Sequence, residues 1–318
     1  MIKPLLALLA VSFSLSVGAQ TYPNRAIKMV IPFAAGSATD ILGRVIAKEL
    51  TDKLGQPVIV ETKPGAGTAV AAAYVTNSAP DGYTLLLGTN ATFAVNPILY
   101  KKLPYDPADF KMVAAAGGMP SFLLVGGGSK YKTFGEFIKA AKDNPGKLTY
   151  GSSGVGSTGH LVGKVLENAA GIELLHIPYK DGPLGLTATI TGEVDAIFYT
   201  SIAAMPMIKA ERVRPLAVST AKRTVELPNV PTIAESGIPT FDLAGWVVLA
   251  APARTPQPIV EKLRLAMLEL YGLPAYQERL ESIGMVTQKL TGKELDAFVK
   301  QEQVRMVDVA KRSNIQPE

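Results

Sequence analysis

Gly36-Ser37-Ala38-Thr39-Asp40-Ile41-Leu42-Gly43-Arg44-Val45-Ile46 has a near copy 120 positions on, Gly156-Ser157-Thr158-Gly159-His160-Leu161-Val162-Gly163-Lys164-Val165-Leu166. Each copy follows an apolar or β-branched run, Lys28 to Pro32 or Lys147 to Tyr150, passes through small hydroxyl residues, and enters a stretch with helical apolar spacing. A second apolar run lies beyond each helix. This is strand, loop, helix, strand, written twice, and it predicts two α/β units built alike. A loop that ends a strand and opens a helix leaves backbone N–H groups unpaired at the positive end of the helix dipole, which suits an anion. Two such loops facing each other would clamp one acid.

The surrounding segments continue the alternation. Ile27 to Pro32 reads as a strand, Thr39 to Lys53 as a helix that Gly55 ends, and Val58 to Glu61 as the next strand. Pro64-Gly65-Ala66-Gly67 opens a small-residue helix through Tyr74, Pro80-Asp81-Gly82 turns, and Tyr83 to Gly88 is a buried strand ending at Thr89-Asn90. Asn96 to Asp109 reads as loop. The runs Val113 to Ala116 and Ser121 to Val125 flank Gly117-Gly118, where the chain is expected to cross into a second domain. Thr133-x-x-Glu136 is a capping box for a helix, and strands are expected at Glu173 to Pro178, Val194 to Phe198 and Val213 to Ser219, with a short helix around Leu184 to Thr191. Gly245 to Ala250 is the expected return crossing, and the rest is helical, its last helix capped by Thr291-x-x-Glu294. The expected division is a leader over 1–19, a first domain over 20–118 with 247–318, and a second over 119–246.

Met1 to Ala19 has the form of a secretory signal: Lys3, an apolar stretch from Pro4 to Val17, and Val17-Gly18-Ala19 as a small-residue cleavage site after Ala19. An uncleaved anchor is the rival, but the stretch is short for a bilayer and no stop-transfer pattern follows it. The 318 residues contain no cysteine, so an exported form has no disulfide framework and depends on packing; the bacterial periplasm fits. Thirty-two basic against 27 acidic residues give a net charge of +5 without a basic run or an aromatic-interleaved basic stripe, which argues against nucleic acid.

Several motifs compete with the anion-clamp reading. Ser37-x-x-Asp40 is also a plain capping box, though a cap leaves other N–H groups free. Gly154-Val155-Gly156-Ser157-Thr158-Gly159 matches a dinucleotide fingerprint, but the next strand ends in Pro178-Tyr179-Lys180 rather than an acidic residue, so no nicotinamide cofactor is expected. His160 and His176 are the only histidines, and no metal-ligand pattern accompanies them. Ser129-x-x-Lys132 and Ser219-x-x-Lys222 lack the companion motifs of serine–lysine enzymes. A serine hydrolase built on Ser153 or Ser157 with His160 would lack a third group to orient the histidine. Phe33, Tyr179, Tyr199 and Trp246 stand at or near strand ends, where α/β ligands bind.

Taken in order, Tyr22-Pro23, Ile31-Pro32-Phe33, Gly55-Gln56-Pro57-Val58, Pro64-Gly65-Ala66-Gly67, Ala79-Pro80-Asp81-Gly82-Tyr83-Thr84-Leu85, Leu103-Pro104-Tyr105-Asp106, Pro145-Gly146-Lys147-Leu148-Thr149-Tyr150, His176-Ile177-Pro178-Tyr179-Lys180, Leu216-Ala217-Val218 and Val230-Pro231-Thr232 resemble the Bug receptors, the extracytoplasmic solute-binding proteins of tripartite tricarboxylate transporters. The resemblance spans nearly the whole chain after residue 19. It implies a two-lobed periplasmic-binding-protein fold of type II, two similar α/β domains joined by two crossing strands and closing on a carboxylate, with transporter subunits as membrane partner; a sensory adaptor for a signalling kinase is a further reading, and a monomer is the default for a clamshell that presents both lobes to a membrane partner. It nominates Phe33, Gly36, Ser37, Thr39 and Asp40, then Thr89 and Asn90, then Ser152, Ser157, Thr158 and His160 as ligand-binding residues; the strand-end positions add Tyr179 and Tyr199. The chain departs from the family's pattern where Ala34-Ala35 and Ser37-Ala38 replace glycine and proline, and where Tyr199 replaces an acidic residue. An acid there could pair with a ligand ammonium, so Tyr199 disfavours amino acids and favours plain di- or tricarboxylates or an aromatic acid.

Overall fold

The computed structural model describes residues 22–312; the expected leader over 1–19 lies outside the described residues. In chain order the first half contributes β1 (Ile27–Ile31), α1 (Ala38–Leu54), β2 (Val58–Thr62), α2 (Ala69–Thr76), β3 (Thr84–Thr89), a π-helical turn over Ala91–Val95 continued by α3 (Asn96–Leu99), and β4 (Phe110–Met119). Then come β5 (Ser121–Gly126), α4 (Phe134–Asp143), β6 (Thr149–Ser152), α5 (Thr158–Ala170), β7 (Leu175–Pro178), α6 (Gly182–Thr191), β8 (Ala196–Thr200), α7 (Ser201–Lys209) and β9 (Val213–Val218). β10 (Gly245–Pro252), α8 (Gln257–Tyr271), α9 (Pro274–Ser282) and α10 (Gly292–Arg312) complete the chain.

Two five-stranded sheets result, ordered β2-β1-β3-β10-β4 and β7-β6-β8-β5-β9. The orders are the same when β6, β7, β8 and β9 are matched to β1, β2, β3 and β4, with β5 and β10 as equivalents. Within each sheet the strands of the repeat pair in parallel through a crossing helix, while β5 and β10 run antiparallel to both neighbours. The chain leaves the first sheet at Met119, passes Pro120 and enters the second at Ser121. It returns in β10, whose Gly245 and Trp246 already pair with Met119 and Gly118. Trp246 is fully buried, stacks on Phe93 at 6.1 Å, and donates its indole N–H to the buried Glu302 carboxylate of α10 at 3.0 Å.

The glycines of the repeat explain why each helix lies so close to its sheet. A Cβ on Gly43 would come within 2.6 Å of Ile31 in β1, and one on Gly163 within 2.3 Å of the Tyr150 ring in β6. Gly117 and Gly118, read from sequence as a break between strands, lie inside β4, which runs on to Met119. Their role is a close approach: Gly118 exchanges two backbone hydrogen bonds with Val286, and a Cβ on Gly117 would meet Met285 at 2.8 Å. Part of the expected loop from Asn96 is helical instead, and α7 has no counterpart in the sequence reading. That segment is apolar nearly throughout and holds Pro206, so it lacks helical periodicity; its place against α1, β8 and β9 explains the composition. Among the described residues no helix is long and apolar enough to cross a membrane.

Candidate functional site

The two copies of the repeat form the same backbone structure. Gly36 and Gly156 take left-handed φ values of 80° and 77°, and the following Ser37 and Ser157 are N-caps of α1 and α5 with nearly identical backbone angles, −69°/161° and −64°/157°. Each cap hydroxyl accepts the N–H three residues on, from Asp40 and from His160. Each cap N–H in turn donates to the carbonyl three residues back, Ala34 in one loop and Gly154 in the other. The N–H groups of Ala38 and Thr39, and of Thr158 and Gly159, belong to the first helical turns and have no acceptor within their helices. They sit at the positive ends of two helix dipoles.

These first turns meet across one cavity of about 50 Å³. The first half contributes Phe33, Ser37, Ala38 and Thr39; Met119 and Ser121 come from either side of the crossing. Ser153, Ser157, Thr158 and Gly159 face them from the second half, and Asp181, Gly182, Phe198, Tyr199 and Thr200 close the remaining wall. Thr158 Oγ1 donates to Asn90 Oδ1 at 3.0 Å, a bond that joins the two halves directly. One water-sized probe needs about 10–15 Å³. The cavity therefore has room for a few waters as it stands.

Of the residues nominated from sequence, Phe33, Ser37, Thr39, Ser157, Thr158 and Tyr199 line this cavity. Gly36 and Tyr199 border an adjoining apolar space of about 350 Å³ between the first loop and helices α6 and α7. Asp40, Ser152 and His160 stand behind the loops. Asp40 Oδ2 accepts the Gly36 N–H at 2.9 Å and the carboxylate pairs with Arg44, while His160 Nδ1 accepts the Gly156 N–H at 3.2 Å. The fully buried Ser152 bonds Gly154 and His176 Nε2, the latter at 2.7 Å, and the two imidazoles stack at 4.3 Å. Burial, reinforced by Lys164, pushes His160 down to about 4, and burial with the neighbouring His160 and Lys164 pushes His176 down to about 3. Thr89 and Asn90 are buried at the end of β3, and Asn90 meets the cavity wall through its bond from Thr158. Tyr179 points away, its hydroxyl donating to Glu193, and burial raises it to about 12.

Apart from Tyr199, the remaining wall was not singled out in the sequence. Asp181 is the N-cap of α6, accepting the Leu184 N–H at 3.0 Å. Ser121 and Thr200 are strand-end residues whose convergence depends on β5 pairing with β8, Ser121 opposite Thr200. The hydroxyl oxygens of Ser121, Tyr199 and Thr200 are buried without a hydrogen-bond partner, in residues only 1%, 6% and 8% exposed. A buried hydroxyl left unpaired is costly, so three around one cavity make it the candidate ligand site. No lysine, arginine or histidine lines the cavity, and among the described residues no group of three or more His, Asp or Glu is placed to hold a metal.

A family model described as tripartite tricarboxylate transporter family receptor matches residues 42–315. A UPF0065 protein of Bordetella pertussis is 34% identical over 303 residues, 95% of this chain and 94% of that protein. The structure of R. palustris Rpa4515 with adipate matches at a TM-score of 0.91 and 34% identity, covering 93% of this chain and 100% of that one. MatC from Rhodopseudomonas palustris, solved with bound malate, matches at 0.84 and 31% identity, covering 91% and 99%.

Proposed function

Because the chain belongs to the tripartite tricarboxylate transporter receptor family, we propose that it captures a small carboxylate between its two lobes in the periplasm and passes it, chemically unchanged, to the membrane subunits of such a transporter. The observation that carries this reading is the pair of equivalent helix N-termini, one from each sheet, converging on a single cavity. The adipate and malate bound to its structural neighbours agree with a di- or tricarboxylate; an aromatic acid is the other ligand class the first loop's Phe33 accommodates. In this reading the lobes are 20–118 with 247–318 and 119–246, the leader is cleaved after Ala19, and the mature chain acts as a monomer. Ser37, Thr39, Ser157 and Thr158 touch the acid, with Phe33 and Tyr199 beside it, while Asp40, Asn90, Ser152 and His160 hold the loops that do so.

The mechanism follows from what each lobe can offer alone. One helix N-terminus carries about half a positive charge, a weak anion site in water. A ligand that engages both first turns gains its second set of contacts only when the lobes close, so it shifts the population toward the closed form. A hydrolytic role is disfavoured by the commitments of its candidate groups: Ser157 Oγ donates to the Gly154 carbonyl at 2.7 Å, and His160 Nδ1 is occupied by the Gly156 N–H.

Thermal unfolding of the mature protein, stripped of ligand by unfolding and refolding, tests the proposal against a panel of aliphatic, aromatic and amino acids. Saturation near a hundred times the dissociation constant stabilises by about 2.7 kcal/mol, and the proposal expects that shift for one class of acid. Refolded protein that no carboxylate stabilises would contradict it.

A further inference from the structure

Granting that the cavity is a carboxylate site, its lining carries charge of both signs. The first turns of α1 and α5 each contribute about half a positive charge, enough for one carboxylate. Asp181 is the one charged side chain among the lining residues. One of its oxygens caps α6, and a carboxylate keeps further acceptor capacity after accepting one N–H. Beside it lies the Tyr199 ring, seated directly on Gly182: a Cβ there would come within 2.2 Å of Tyr199 Cε2 and 2.3 Å of its hydroxyl. The Tyr199 hydroxyl is buried and unpartnered, and burial together with the Asp181 charge keeps it un-ionised.

A carboxylate wall with no facing cation repels a second ligand carboxylate and attracts a donor. Tyr199 taken alone disfavours a ligand ammonium, but Asp181, the N-cap of the preceding helix α6, sets an acid on the same wall and reverses that expectation. We propose that Asp181, with the Tyr199 hydroxyl, selects acids that carry a hydrogen-bond donor, a hydroxyl or an ammonium group, near the carboxylate held by the two helix N-termini. Unsubstituted acids of the same length leave Asp181 and Tyr199 without a ligand partner and bind more weakly. The ammonium form has the advantage of charge, since it neutralises Asp181; the hydroxyl form gains a charge-assisted hydrogen bond alone.

Calorimetric titration of the refolded wild type tests this with mono- and dicarboxylates of three to six carbons, each in unsubstituted, 2-hydroxy and 2-amino form. The tightest binder is expected to carry the donor, with a preference of about tenfold or more over its unsubstituted counterpart, the scale of one charge-assisted hydrogen bond. Asp181→Asn keeps a residue that caps helices equally well while removing the charge. It is expected to erase most of that preference, weakening the donor-bearing acid and tightening the unsubstituted one. Tyr199→Phe, which removes only the orphaned hydroxyl, should reduce the same preference severalfold. If an unsubstituted acid binds best and D181N leaves the ratios as they were, the selection is wrong and the receptor reading stands. If no acid in any form binds, both fall together.

Discussion

Asp40 and His160 occupy equivalent positions in the two repeats and accept equivalent N–H groups, from Gly36 and Gly156. A carboxylate does this on the first loop, where Arg44 balances its charge; a neutral imidazole does it on the second, where Nδ1 must keep its lone pair. Thr158 has a different task. Its hydroxyl bond to Asn90 exists only when the lobes meet, so it belongs to the closed form. Thr158→Val therefore removes one net hydrogen bond, about 1 kcal/mol, from closure, and affinity for the cognate acid should fall about fivefold. Titration showing wild-type affinity would mean that the bridge adds nothing to closing.

At the scale of the element, the second loop and the start of α5 rest on the buried pair His160 and His176, which stack on each other and resist protonation. Both have folded values far below the ordinary value of 6.5. Between about pH 4 and 6.5 the unfolded chain thus binds more protons than the folded one, and stability rises with pH through that window. Thermal midpoints should climb from pH 4 to 6.5, and His160→Asn, which retains an acceptor without titrating, should flatten part of the slope. An unchanged slope in the variant would show that His160 does not couple to folding. The loops themselves were legible in the sequence because their construction is local: a glycine for positive φ, a serine cap, and a glycine nearly two turns on where the helix meets its strand. What closes the cavity around them was not legible. Asp181 caps α6, and that it also lines the cavity, next to the Gly182 on which the Tyr199 ring is seated, is a tertiary placement. Ser121 and Thr200 meet only because β5 pairs antiparallel with β8, a long-range choice that no local pattern encodes. The apolar run Ala203 to Ile208 hid α7 for a related reason: a helix packed on several sides loses the periodicity that reveals one packed on a single face.

On the scale of the whole molecule, the two sheets repeat one strand order, and β5 and β10 occupy the same place in each. The crossings therefore lie side by side: Met119 pairs with Gly245 where the first crossing leaves the sheet and the second re-enters it. Trp246, Phe93, Phe298 and Glu302 pack around this point, so α10 ties the crossing to the first sheet. Such a joint permits the lobes to swing as bodies about a short segment. The central claim is that an acid held by both helix N-termini drives that swing. The sequence contains no cysteine, so one introduced at exposed Lys102 and one at exposed Lys142 would be the only labelling sites. Spin labels at these two positions, one on each lobe, read the distance between them with and without a saturating acid identified by thermal shift. A shorter, narrower distance distribution with the acid is the predicted result; an unchanged distribution under conditions where the acid is fully bound would contradict the account.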